Sequence, residues 1–304
     1  MGKSLRETIH ERRRVLENPY AFVDELDEMN LVEQERRGLE NPYALIESLN
    51  RANQSVARFD GISSVRRSKD ISDRFPKQRK YTEREVERIV RDVHLAIWHD
   101  RRALFAGRAV DPLEILDPCA AFQYFGYDFD LSDSLGQFAD PAGLQEVAGI
   151  VDQQQRKVRV SSQFSLPIRN FTAAHELGHA VLHETVGLHR DRPLSGSSVR
   201  KDQQEYEADK FASYFLMPGK IVCSKFEAMF GRKPFELNEL TRFALGAAAE
   251  GHRKWPRTTR ELSRHLASTT RFNGQGIVSL AEQFQVSVEA MAIRIEELDL
   301  VDQS

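Results

Sequence analysis

The sequence predicts an α+β chain, mostly helical, with a small antiparallel sheet set directly before a buried helix. Three observations lead there. Val147-Ala-Gly-Ile-Val151, a Gln-rich polar stretch and Val158-Arg-Val160 read as a β-hairpin. The segment that follows, from Phe171 to His183, is mostly apolar around its His and Glu positions and lacks strand alternation. Further helical periodicities begin near Tyr81 and run from Glu205 to Leu216, and the C-terminus reads as two short helices.

At 304 residues the chain accommodates two domains, or one with extensions. A hydrophobic content of 40% supports a core, and 29% charged residues give a polar surface. The formal net charge of −3 carries no general attraction for nucleic acid or anionic lipid. No apolar run approaches the roughly 20 residues of a membrane span, and the N-terminal stretch lacks the apolar segment of a secretory signal. Cys119 and Cys223 are too few for a disulfide framework and read as core thiols. These features describe a cytoplasmic protein without membrane attachment.

Residues 1–53 hold a duplication. Leu16-Glu-Asn-Pro-Tyr-Ala21 recurs as Leu39-Glu-Asn-Pro-Tyr-Ala44, an offset of 23 residues. Each Asn-Pro is a helix start: the Asn side chain caps orphan N–H groups, and Pro at the first helical position forfeits no hydrogen bond. Tyr20, Val23 and Leu26, then Tyr43, Ile46 and Leu49, follow at helical spacing. Two copies suit a pair of packed helices, or a duplicated docking motif, better than a solenoid. Residues 54–80 form a linker whose second half is basic. A helix with Val86, Ile89, Val93 and Ile97 on one face opens the body, assigned to residues 81–230. Residues 231–275 are read as a helical insertion and 276–304 as a helix-turn-helix-like element.

The chemistry lies in His175-Glu176-Leu177-Gly178-His179. Residues four apart share a helix face, so His175 and His179 can present imidazole nitrogens to one zinc ion. Glu176 is placed to act as general base toward a water at that metal. A buried helix cannot hold two histidines and a glutamate without polar partners, and a metal supplies them. Asn170 or Thr172 is available as the helix cap.

A third ligand is required. The arrangement with a third histidine downstream at fixed spacing fails, because the expected Gly and His positions carry Leu182 and Thr185. The remaining common solution is a glutamate from a second helix, supplied by Glu205-Tyr-Glu-Ala-Asp209. Glu205, Ala208, Asp209, Ala212 and Leu216 share a face, which selects Glu205 as ligand and Asp209 as the carboxylate orienting an imidazole. Glu207 lies about 200° around the helix and is the fallback ligand. His183, one turn past His179, is read as packing under the metal or bonding a carboxylate rather than as a third ligand, and His189 and Tyr206 are candidates for stabilising an oxyanion. Val158, Arg159 and Val160 are candidates for an edge strand that pairs with an extended peptide.

Phe171-Thr-Ala-Ala-His-Glu-Leu-Gly-His-Ala-Val-Leu-His183, followed by Glu205-Tyr-Glu-Ala-Asp-Lys-Phe-Ala-Ser-Tyr-Phe-Leu-Met-Pro218, resembles the ImmA/IrrE metallo-endopeptidases. The resemblance extends over roughly residues 80–302 and leaves the repeats outside. It implies a zincin-like core, a zinc cofactor held by His175, His179 and the second-helix glutamate, and cleavage of a protein substrate, often a helix-turn-helix repressor. A rival reading is a regulatory protein-binding module on the same scaffold with little or no proteolysis. In the C-terminal element the second helix, from Val288, offers Arg294 against Glu289, Glu296 and Glu297. Phosphates repel that face, so direct DNA binding is not expected.

Overall fold

The computed structural model describes residues 80–140, 143–183, 188–191, 203–246 and 255–302. The LENPYA repeats and all of the linker but Lys80 lie outside the described residues. The chain is mostly helical with small sheets, as an α+β class requires, and it divides into two compact units. The described residues from Lys80 to Pro218, with 284–290, form one; the described parts of Gly219–Gln283 and Met291–Ser304 form the other. The division falls after Pro218. Among the described residues no helix is long and apolar enough to cross a membrane.

The first unit opens with α1 (Glu83–Leu104). Thr82 and Glu85 form a reciprocal capping box, and Arg101 and Arg102 occupy the last turn, where positive charge complements the helix dipole. Its buried face carries Val86, Ile89, Val90, Val93 and Ile97. A single 3-10 turn (Glu114–Leu116) leads into α2 (Pro118–Tyr124), capped by Asp117 with Pro118 at the first helical position.

Four strands make the principal sheet: β1 (Asp128–Ser132), β4 (Gly149–Asp152), β5 (Lys157–Ser161) and β6 (Leu188–Asp191). Their order is β1-β5-β4-β6. The expected hairpin is β4 and β5, with Val151 opposite Val158. The sheet is mixed, however, because β1 joins β5 in parallel. β5 is therefore hydrogen-bonded on both sides, so Val158, Arg159 and Val160 present no free edge to a peptide. Val158 and Val160 are buried while Lys157 and Arg159 are exposed, the alternation of a strand with one solvated face. β2 (Gln137–Asp140) and β3 (Gly143–Glu146) form a separate antiparallel pair.

Helix α3 (Leu166–Leu182) carries the His-Glu-x-x-His motif. It begins earlier than a cap at Asn170 or Thr172 would set it: Ser165 is the cap residue, and Pro167 in the first turn costs no intrahelical bond. The Asn170 amide instead donates to the Gln285 carbonyl at 3.3 Å. From Thr172 onward every α3 residue is buried. The most extensive helix contact in the unit is between α3 and α4 (Gln203–Leu216). Phe211 and Phe215 of α4 stack at 6.0 Å, and Leu177 and Leu182 of α3 are fully buried.

The second unit contains α5 (Gly219–Phe230), α6 (Glu239–Ala244), α7 (Thr259–Ser268), α8 (Leu280–Gln283) and the larger part of α9 (Val288–Glu297). The span read as a helical insertion also contains β7 (Phe235–Glu236) and a hairpin of β8 (Arg271–Phe272) with β9 (Gln275–Gly276). β10 (Val301–Asp302) pairs in parallel with β7. Phe230 packs against Phe226, Phe235 and Phe272 with ring centroids 4.8, 5.6 and 5.3 Å away, the centre of an aromatic core. Arg294, the basic residue of α9, is buried and paired with Glu297 at 2.9 Å. Cys119 and Cys223 are free and half-buried rather than core thiols. Burial pushes the pKa of both above the ordinary thiol value.

Candidate metal centre

α3 and α4 bring three potential ligands together. His175, His179 and Glu205 each direct one donor atom into a space where all three lie within 4.8 Å of one another. The two Nε2 atoms are 3.0 Å apart. Glu205 places one carboxylate oxygen 3.5 Å from His175 Nε2 and the other 3.6 Å from His179 Nε2. Donors on a tetrahedral zinc, with bonds of about 2.0–2.1 Å, sit about 3.3 Å from each other. The observed separations bracket that value, and two imidazoles with one carboxylate are a zinc donor set. The residues present therefore fit the ion.

The two histidines are buried, whereas the Glu205 side chain is about a third exposed. Behind His175, Nδ1 lies 3.0 Å from Asp209 Oδ1, one helical turn beyond Glu205 on the same face of α4. Glu207, the fallback ligand, lies outside the three-residue group. Its Oε2 is 3.0 Å from His183 Nε2, while Oε1 accepts the Tyr81 N–H at 2.9 Å and the Gln203 amide at 2.7 Å. His183 thus bonds a carboxylate, and burial pushes its pKa below the usual imidazole value despite that partner.

Glu176 is fully buried beside the ligands. The start of β4 lies over it. A Cβ placed on Gly149 would stand 2.6 Å from Thr172 Cγ2 and 3.4 Å from Glu176 Cγ. Glycine at 149 is therefore what lets the strand approach the helix this closely. Of the two oxyanion candidates, Tyr206 has its hydroxyl donating to Glu83, and the His189 side chain lies outside the described residues. With Tyr206, Lys210 and Tyr214 around it, Glu83 keeps a pKa below the ordinary carboxylate value. That cluster ties α1 to α4.

Tyr81, Gln153 and Gly149 were not singled out by sequence. Tyr81 reaches the site twice, through its N–H to Glu207 and its hydroxyl to the Leu182 carbonyl at 3.2 Å. Gln153 donates to the His179 carbonyl at 3.3 Å. Neither carries a local signal, because both partners are distant in sequence. Gly149 carries a weak one: an interior glycine in a strand often marks close backbone approach.

No curated protein and no solved structure matches the chain. Residues 138–232, just under a third of its length, match the family model Peptidase_M78, described as the IrrE N-terminal-like domain. That span contains β3 to β6, α3, α4 and α5, and with them every residue of the candidate centre except Tyr81. Over residues 138–232 the chain is similar to the IrrE N-terminal-like domain, a likeness that supports a metallopeptidase of the ImmA/IrrE type.

Proposed function

We propose that the chain is a zinc-dependent endopeptidase in which His175, His179 and Glu205 hold the metal and Glu176 is the general base. The observation that carries this reading is the convergence of those three donors at zinc spacing beside a buried glutamate. When bound, zinc supplies Lewis acidity toward the scissile carbonyl and the attacking water. Glu176 accepts a proton from that water and delivers it to the leaving amine nitrogen, so a peptide bond and one water become a carboxylate and an amine. Asp209 holds His175 in place through its Nδ1. Burial of Glu176 under Gly149 keeps the proton-carrying group out of bulk solvent.

The substrate is a protein, and the resemblance to ImmA/IrrE peptidases makes a helix-turn-helix repressor the first to try. Cytoplasmic action follows from the same reading. Co-incubation with a repressor encoded beside this chain's own gene tests the assignment. Wild type is expected to cut it, and Glu176→Gln to retain zinc and leave it whole. Cleavage by Glu176→Gln at the wild-type rate would remove Glu176 from the reaction, and no cleavage by either protein would favour the binding-module reading.

A further inference from the structure

His175 and His179 share a face of α3 and His183 is the residue that ends it, and their imidazoles follow one another, Nε2 to Nε2 at 3.0 Å and Nδ1 to Nδ1 at 3.2 Å. His183 turns its Nε2 to Glu207 at 3.0 Å. His183 and Glu207 are both almost completely buried. We propose that Glu207 and His183 act as a two-step positioning relay that fixes the tautomer of His179 and keeps its Nε2 lone pair turned toward the metal position. The inference rests on the metal site proposed above and adds two residues that do not touch the metal.

The proton directions follow from the far end of the chain. The Tyr81 backbone N–H can only donate, and it donates to Glu207 Oε1, as does the Gln203 amide. Glu207 is thereby held as an acceptor, so its other oxygen accepts from His183 Nε2–H. A neutral imidazole with a proton on Nε2 has a lone pair on Nδ1. That lone pair requires the proton of His179 to sit on Nδ1, which leaves His179 Nε2 as the metal-facing acceptor. His175 reaches the same state in one step, through Nδ1–H to Asp209. The two Nε2 acceptors then face each other at 3.0 Å, an arrangement that a cation between them relieves.

The two supports differ in kind. Asp209 acts directly on its histidine and is partly open to solvent, whereas the His183–Glu207 chain is closed to water. A buried chain has no solvent to substitute for a lost partner, so a change at its far end is transmitted to the metal ligand.

The test is zinc affinity of the full-length chain, by competition with a chromophoric chelator, and the visible spectrum of the cobalt-substituted protein. Near-ultraviolet circular dichroism and urea midpoints of the metal-free proteins report folding separately. Glu207→Gln is the sharpest variant. Tyr81 and Gln203 hold the amide oxygen at the Oε1 position, so the amide NH2 faces His183 and reverses every bond in the chain. We expect its zinc affinity to fall about 10–100-fold, with an altered cobalt spectrum. His183→Leu should lose a similar factor. His183→Asn, whose amide oxygen can stand where Nδ1 stood, should recover most of it.

Wild-type affinity in Glu207→Gln and His183→Leu would overturn the relay while leaving the metal site intact. Losses that follow the urea midpoints, with Asn no better than Leu and an unchanged cobalt spectrum, would reduce both residues to structural roles and also overturn it. A wild-type protein that takes up neither zinc nor cobalt would refute the metal reading itself, and the relay with it.

Discussion

Gly178, inside the His-Glu-x-x-His motif, lies close against α4, and Gly178→Ala measures how tightly that contact holds the metal ligands. A Cβ there would lie 3.1 Å from Phe211 Cβ and 3.2 Å from both Phe211 Cγ and the Ala208 Cα. Comfortable carbon contacts are about 3.5–4.0 Å, so α4 must retreat by roughly 0.3–0.5 Å. Overpacking of this kind costs about 1–3 kcal/mol. Alanine returns about 1 kcal/mol of helix propensity. The net stability loss is therefore about 0–2 kcal/mol. The effect on the site is larger in proportion, because Ala208 stands between Glu205 and Asp209 on α4. Metal–ligand distances tolerate only about ±0.2 Å. We expect zinc affinity to drop by about tenfold, equivalent to about 1.4 kcal/mol. Urea titration of the metal-free protein and chelator competition on the loaded one give the two numbers independently. A Gly178→Ala protein that is about 1 kcal/mol more stable, with wild-type zinc affinity, would show that α4 moves freely and refute this account of the interface.

Other expectations follow from the same contacts. Thr82→Ala removes the side-chain half of the capping box on α1, leaving the backbone N–H of residue 82 on Glu85, and should lower stability by about 1 kcal/mol in urea titration, with Thr82→Ser close to wild type. Burial pushes the His94 imidazole down to about 3, against a smaller opposing hydrogen bond with the Phe215 backbone. The unfolded chain takes up that proton near the ordinary value of about 6.5 and the folded protein only near 3. The stability tied to this group is therefore complete above pH 6.5 and is lost as the pH falls toward 3, by up to about 1.4 kcal/mol per pH unit. His94→Leu should flatten the dependence of the urea midpoint on pH across that window; an unchanged slope would assign the acid sensitivity to other groups.

Much of the site was legible because its parts are local. His175, Glu176 and His179 lie within one helical turn and a residue, and the choice of Glu205 with Asp209 used only the geometry of a single helix. The same rule places His183 near the histidines, and of the two roles open to it, packing under the metal or bonding a carboxylate, the structure shows the carboxylate bond. What was not legible depends on pairings between distant segments. β1 reads Asp-Phe-Asp-Leu-Ser, with polar residues on one face, and nothing in it announces a parallel partner at Lys157–Ser161. Without β1, β5 looked like an edge strand. The start of α3 was set four or more residues too late because Ser165 makes no side-chain capping bond and Pro167 is tolerated within the first turn. The Tyr81 N–H is bonded to Glu207 across 126 positions, a contact that no local pattern encodes.

In the proposed site His175, His179 and Glu205 together hold one zinc ion. Elemental analysis of the purified full-length chain after passage over a weak chelating resin tests it directly, comparing wild type with Glu205→Ala and Glu207→Ala. The account predicts one zinc per chain in wild type, none in Glu205→Ala, and a reduced but measurable content in Glu207→Ala. A full complement of zinc in Glu205→Ala, with its loss in Glu207→Ala, would contradict the assignment of the third ligand.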